Sequence, residues 1–334
     1  MSELPQLPWP TLDWRALHAE LERDTDAGLR DEVRRYFTEK RVIGRPTRRQ
    51  VIACSLFFKP SDPALAWPPP DFHTVHTVRV RDGRSTWWEA YAAPLLENLY
   101  RLPYVLPDWD VHLYLAADLV PLVEIFALPQ VILHVMDHDS LAAQPGMMWR
   151  FLAHDLEGVD EVANLDVEEE WEKLLGASCI GDWRRSNLAL FRRMNPKEID
   201  PRLKNQSIYR PIGGGCFCYR PQPDFSMRGA CEAFTFAALR KNLQVEFTHP
   251  TRGVVRQFGC DWPYYGMDET FLQQAVYPFF LRRGVHTNFE ENVSPILFPL
   301  DLQAAFDAHP DSVLTHGFGA AHRRMGLADA TCER

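Results

Sequence analysis

The residues best placed for chemistry are two acidic groups, a run of glycines and a C-terminal histidine. Asp166 sits where a strand beginning near Val159 should end, and open α/β sheets bind ligands at the carboxyl ends of their strands. A carboxylate there can hold Mg²⁺ or Mn²⁺, and the ion can neutralise a diphosphate leaving group. Asn164, two residues back, lies on the same side of an extended segment and offers a second oxygen. Asp166 equally suits an N-cap for the following run VEEEWEKLLG, whose Glu168, Glu169 and Glu170 favour the positive end of a helix.

Asp268 and Glu269 open an apolar-faced helical run directly after Tyr264, Tyr265, Gly266 and Met267. Either acid can cap that helix, or stand at a pocket rim and accept a proton from a hydroxyl. Gly213, Gly214 and Gly215 are costly inside regular structure, so they let the backbone approach a ligand or a neighbouring element. His316, near the C-terminus, is either a metal ligand or a packed or surface histidine. No HExxH, GxSxG or paired CxxC string is present, and the glycines match neither phosphate-loop nor dinucleotide spacing. Cys216 and Cys218 form CxC, the wrong spacing for a zinc knuckle.

The elements that must position these groups follow from periodicity. Leu12, Leu17, Leu21, Leu29, Val33 and Phe37 recur at near-helical spacing over residues 11 to 41, predicting one or two amphipathic helices. VIACSLFF (51 to 58), DWDVHLYLA (108 to 116), PQVILHVM (129 to 136) and VDEVANLD (159 to 166) read as strands. Helical patterns over 87 to 102, 121 to 128, 146 to 156 and 167 to 176 alternate with them, as a parallel sheet with crossover helices requires. Farther on, PIGGGCFCYRP reads as a glycine-rich turn running into a strand. Residues 227 to 242 read as a helix, and 268 to 284 as a helix broken near Pro278.

Composition narrows the function. The 334 residues are 46% hydrophobic and 24% charged, with ten Trp, twenty Phe and twenty-six Pro, which suits an α/β domain with a sizeable core. The net charge of −9 and the absence of a concentrated basic face argue against nucleic acid as a partner. No run of about eighteen apolar residues could span a membrane, and the N-terminus lacks a signal-peptide pattern. Seven scattered cysteines without a disulfide framework fit a cytoplasmic protein.

Taken in order, these pieces resemble bacterial glycosyltransferase-like proteins of the GT-A, nucleotide-sugar-binding type. The resemblance covers about residues 50 to 290 and rests most on GMMWRFL (146 to 152) and YGMDETFLQQAVYP (265 to 278). The SLFF strand, Asn98-Leu99-Tyr100, a strand ending in an acidic DxD-like motif and the later glycine turn support it. It implies an α/β fold of GT-A type, with a mostly parallel central sheet flanked by helices. A helical extension (1–49), a catalytic domain (50–300) and a tail packing on the active site (301–334) would make up the chain.

The resemblance further implies transfer of a sugar from a nucleotide-diphosphate sugar to a hydroxyl of a glycan, small molecule or protein. Cys54, Ser55 and Leu56 would lie beside the base, and Trp149 and Arg150 would face the nucleotide and its phosphates. Gly213, Gly214 and Gly215 would border the donor sugar, and Asp268 or Glu269 would approach the acceptor. Mn²⁺ or Mg²⁺ would sit on Asn164, Asp166 and His316. The chain departs from the pattern at Asn164, where members carry a second aspartate, so the metal site is weakened. That leaves a one-carboxylate metal site, a metal-independent enzyme using arginines, or a nucleotide-sugar or glycan-binding protein without transfer activity.

Overall fold

The computed structural model describes residues 11–58, 87–140, 146–169, 171, 189–193, 212–240, 244–248, 255–259, 267–283 and 286–290. Its centre is an eight-stranded mixed sheet of order β1-β4-β3-β2-β5-β7-β6-β10. The inner strands β2 (Gln50–Leu56), β3 (Trp109–Leu115), β4 (Val131–Met136) and β5 (Glu161–Leu165) are mutually parallel, as their continuous apolar runs predict. Every residue of β3, β4 and β5 is buried.

Antiparallel strands flank this parallel heart. β1 (Glu39–Ile43) pairs with β4, and β7 (Ile212–Tyr219) lies between β5 and β6 (Ala189–Arg193). β10 (His286–Glu290) runs parallel to β6 at the far edge. β8 (Gln244–Thr248) and β9 (Val255–Gly259) form a separate antiparallel pair. The stretch 1–49, expected to be helical, thus also supplies an edge strand. Its alternation was masked by Lys40 and Arg41, which stay exposed as an unpaired edge prefers.

Helices α1 (Trp14–Arg23) and α2 (Ala27–Arg35) begin at side-chain caps supplied by Asp13 and Asp26. α3 (Ala93–Val105), α4 (Val123–Phe126) and α5 (Gly146–Trp149) follow, and α5 continues into a 3₁₀ turn over Arg150–Asp155. α6 (Met227–Leu239) packs against α1, α2 and that 3₁₀ turn. Its exposed N–H groups are tied by Asp155, whose carboxylate accepts from the Met227 and Arg228 amides and the Ser226 hydroxyl.

The helix expected to break at Pro278 instead widens. α7 (Met267–Phe271) passes through a π-turn (Leu272–Val276) into α8 (Tyr277–Arg283), the Tyr277 amide donating to the Leu272 carbonyl. Pro278 has no N–H for the carbonyl four residues back. That carbonyl, on Gln274, accepts from the Leu12 amide at 2.9 Å, so the lost bond is replaced by one to the N-terminal segment. The same device precedes Pro94, where a π-turn (Trp88–Ala92) leads into α3.

Candidate functional site

A cleft opens at the carboxyl ends of β2 and β5. Ser55 and Leu56 come from β2, and Asp166, Val167 and Glu168 from the turn after β5. Gly214 and Gly215 come from β7, Asp268 and Glu269 from the start of α7, and Tyr91, Met147 and Arg150 from the covering helices.

Arg150 organises the cleft floor. It sits at the start of the 3₁₀ turn with only 4% of its surface exposed. Its Nη1 bonds Asp166, and its Nη2 donates to Asp268 Oδ2 at 2.7 Å and to the Gly214 carbonyl at 2.9 Å. Its backbone amide donates to Ser55 Oγ at 3.0 Å, which fixes the turn on β2. Burial alone would lower the guanidinium's pKa; the adjacent Asp166 and Asp268 charges outweigh that and raise it, so Arg150 is permanently charged. A planar fork of donors suits this arrangement, one carboxylate to each terminal nitrogen.

Gly214 makes the clamp sterically feasible. A Cβ at this position would lie 2.5 Å from Asp268 Oδ2 and 3.3 Å from Arg150 Nη2. The glycines, expected to form a turn before a strand, lie inside β7, where the ladder to β6 shifts register between Phe191 and Arg193. The close approach that Gly214 permits is to the Asp268 carboxylate.

Asp166 belongs to the clamp. Its side chain, one third exposed, faces Arg150, and its backbone carbonyl accepts from the Trp171 indole at 3.0 Å. Residues 167 to 169 form a turn, and the helix expected over 167–176 falls largely outside the described residues. Asn98 Nδ2 on α3 donates to the Glu169 carbonyl at 2.8 Å, holding this turn beside the cleft. An Asn embedded between Leu95, Leu96 and Leu99 was the sequence signal for that role.

Asn164 lies on the same face as Asp166 but does not reach the cleft. It is fully buried, with its amide nitrogen on His154 Nε2 and the Phe217 carbonyl. The 3₁₀ turn runs antiparallel to β5, so Arg150 covers Asp166 and His154, four residues on, covers Asn164. Burial pushes His154 well below the usual histidine range, leaving a neutral ring that accepts the Asn164 proton.

The other expected positions divide. Ser55, Leu56, Arg150, Gly214, Gly215, Asp268 and Glu269 line one cleft together with Asp166. Trp149 is instead a core anchor, fully buried, donating through its indole to the Tyr36 carbonyl at 2.8 Å. Cys54 is fully buried, and burial raises its thiol far above the ordinary range, so it is no nucleophile. Gly213 belongs to β7 but not to the cleft lining described. His316, the 301–334 tail and the Trp262 to Tyr265 aromatics lie outside the described residues. Sequence reasoning missed Tyr91 and Met147, which give the cleft an apolar wall and read in sequence as ordinary core positions.

Of the donors expected for a divalent cation, the two that are described, Asn164 and Asp166, do not meet in the cleft. Asn164 is fully buried outside the cleft lining with its amide nitrogen on His154, and the Asp166 carboxylate is engaged by a guanidinium. Among the described residues, no group of three or more His, Cys, Asp or Glu side chains could hold a metal ion. No helix among them is long and apolar enough to cross a membrane.

No family model matches the chain, and no curated protein gives a significant sequence match. Among solved structures the chain is similar to 4-diphosphocytidyl-2C-methyl-D-erythritol synthase from Anaerococcus prevotii. The TM-score is 0.35 at 13% identity, over 79% of this chain and 96% of that one. It is also similar to a protein described as a nucleotide-diphospho-sugar transferase from Desulfovibrio desulfuricans. There the TM-score is 0.32 at 12% identity, over 84% of this chain and 99% of the other.

Proposed function

We propose that the chain is a transferase that binds a nucleotide-diphosphate sugar in this cleft and passes the sugar to an acceptor hydroxyl. The observation that carries the reading is the convergence of Asp166, Asp268 and the Gly214 carbonyl on Arg150 at the carboxyl ends of parallel strands. Around that clamp the wall is apolar at Tyr91, Leu56 and Met147, which suits a base or the C–H face of a sugar. Glu168 and Glu269 at the rim suit hydroxyl groups, since carboxylates accept hydrogen bonds without donating.

The two acids of α7 take different parts. Asp268, 12% exposed and bound to Arg150, positions the clamp. Glu269 stands partly exposed at the rim and serves as base. In an inverting transfer it takes the acceptor's hydroxyl proton while that oxygen bonds the anomeric carbon and the bond to the diphosphate breaks.

The test is nucleotide release from a panel of nucleotide-diphosphate sugars, with nucleoside triphosphates alongside. The proposal expects one sugar donor to be consumed, and Glu269→Gln to lower kcat about 100-fold or more with the melting temperature unchanged. Turnover of a triphosphate alone would make the protein a nucleotidyltransferase. A donor that raises the melting temperature without being consumed would make it a binding protein.

A further inference from the structure

We infer that Arg150 is a built-in cation, occupying the position between Asp166, Asp268 and the Gly214 carbonyl that a divalent ion would otherwise take, so that the chain holds no metal there. The inference rests on the geometry of the clamp and not on the transfer reading.

Three oxygens from three separate elements converge on one guanidinium: a carboxylate after β5, a carboxylate of α7 and a carbonyl of β7. An all-oxygen set rich in negative charge is the environment that Mg²⁺, Mn²⁺ or Ca²⁺ selects. Arg150 is buried, charged and aligned to all three, so an ion could enter only by displacing it. Displacement would cost the guanidinium both carboxylate partners and the Gly214 carbonyl. Asn164, the residue that would complete a two-oxygen motif with Asp166, is fully buried away from the cleft lining, its amide nitrogen held on His154. Both departures act together: the 3₁₀ turn that places Arg150 on Asp166 also places His154 on Asn164.

Removing the guanidinium should therefore create the site it replaces. Asp166 and Asp268 would face one another uncompensated, and a divalent ion would relieve their repulsion. Lysine at 150 would retain the charge and exclude the ion.

Mn²⁺ binding followed by electron paramagnetic resonance tests this on the full chain, with no nucleotide present. Wild type and Arg150→Lys are expected to leave Asp166 and Asp268 unoccupied. Arg150→Ala is expected to bind one Mn²⁺ at least about tenfold more tightly than wild type, with a metal-dependent rise in melting temperature. If Arg150→Ala does not fold in chelator, Mn²⁺ is expected to restore its near-ultraviolet circular dichroism. Wild-type binding that weakens about tenfold in Asp166→Asn overturns the inference. So does an Arg150→Ala chain that gains no affinity or that Mn²⁺ cannot refold. Failure to find a sugar donor would leave these outcomes unaffected.

Discussion

At the residue scale, the cleft depends on one buried positive charge and on the absence of one side chain. Gly214 is where the second condition is sharpest, since a methyl group would meet the Asp268 carboxylate at 2.5 Å. Gly214→Ala is expected to push Asp268 off Arg150, costing about 1–3 kcal/mol as overpacking does and lowering turnover about tenfold or more by displacing the clamp. Chemical denaturation and donor turnover measure the two effects; an alanine variant unchanged in both would show that the clamp is not tightly packed. This scale was only partly legible in the sequence. Asp166, Asp268 and the glycines could be singled out by type and place, and Arg150 by the resemblance, but that Arg150 joins them could not be read. Arg150 comes 16 residues before Asp166 and 118 before Asp268, and no local pattern encodes such a meeting. The fate of Asn164 was hidden for the same reason, because His154 reads as an unremarkable residue of a helical run.

At the element scale, the parallel heart of the sheet and the neighbouring β7 were readable, and the outer strands were not. Continuous apolar runs such as VILHVM announce buried strands, and β2 to β5 lie where those runs predict. β1 (EKRVI), β6 (ALFRR) and β10 (HTNFE) are short and have their charged or polar residues in blocks, so they show neither a continuous apolar run nor a period-2 alternation. The continuity of α7 into α8 was also illegible, because the compensation for Pro278 comes from Leu12, at the other end of the chain. The 3₁₀ turn bearing Arg150 and His154 ends at Asp155, which caps α6 through two backbone amides and a hydroxyl. Asp155→Ala is expected to cost about 1–2 kcal/mol, readable as a lower urea midpoint with an unchanged slope. A loss under about 0.3 kcal/mol would mean that the Asp155 bonds add little beyond the Ser226 cap and the packing of α6.

At the scale of the whole molecule, buried titratable groups set how stability responds to acid. Burial, reinforced by His134 at 2.8 Å, pushes His112 down to about 3, and burial also lowers His154. Both rings are neutral in the fold, whereas the unfolded chain protonates them near pH 6.5. Their contribution is present above that pH and is lost as pH falls toward about 3. Asp118 acts oppositely: burial raises its carboxyl to about 6, so stability is lost as pH rises from about 4 to about 6. Between pH 7 and 5, His112 alone costs about 2 kcal/mol. Asp118 returns at most about 1, reduced by its partial exposure. Urea unfolding is therefore expected to show a net loss of stability on acidification, with a shallower slope in His112→Asn. An identical slope in the variant would contradict this assignment.

The central claim is that the cleft around Arg150 is where a nucleotide-diphosphate sugar binds. The most direct measurement is a crystal structure of the chain with the nucleotide that most raises its melting temperature. The account predicts density for that nucleotide between Ser55, Tyr91 and the Arg150 clamp, with the sugar end toward Glu269. Density at another surface, with this cleft empty, would contradict it.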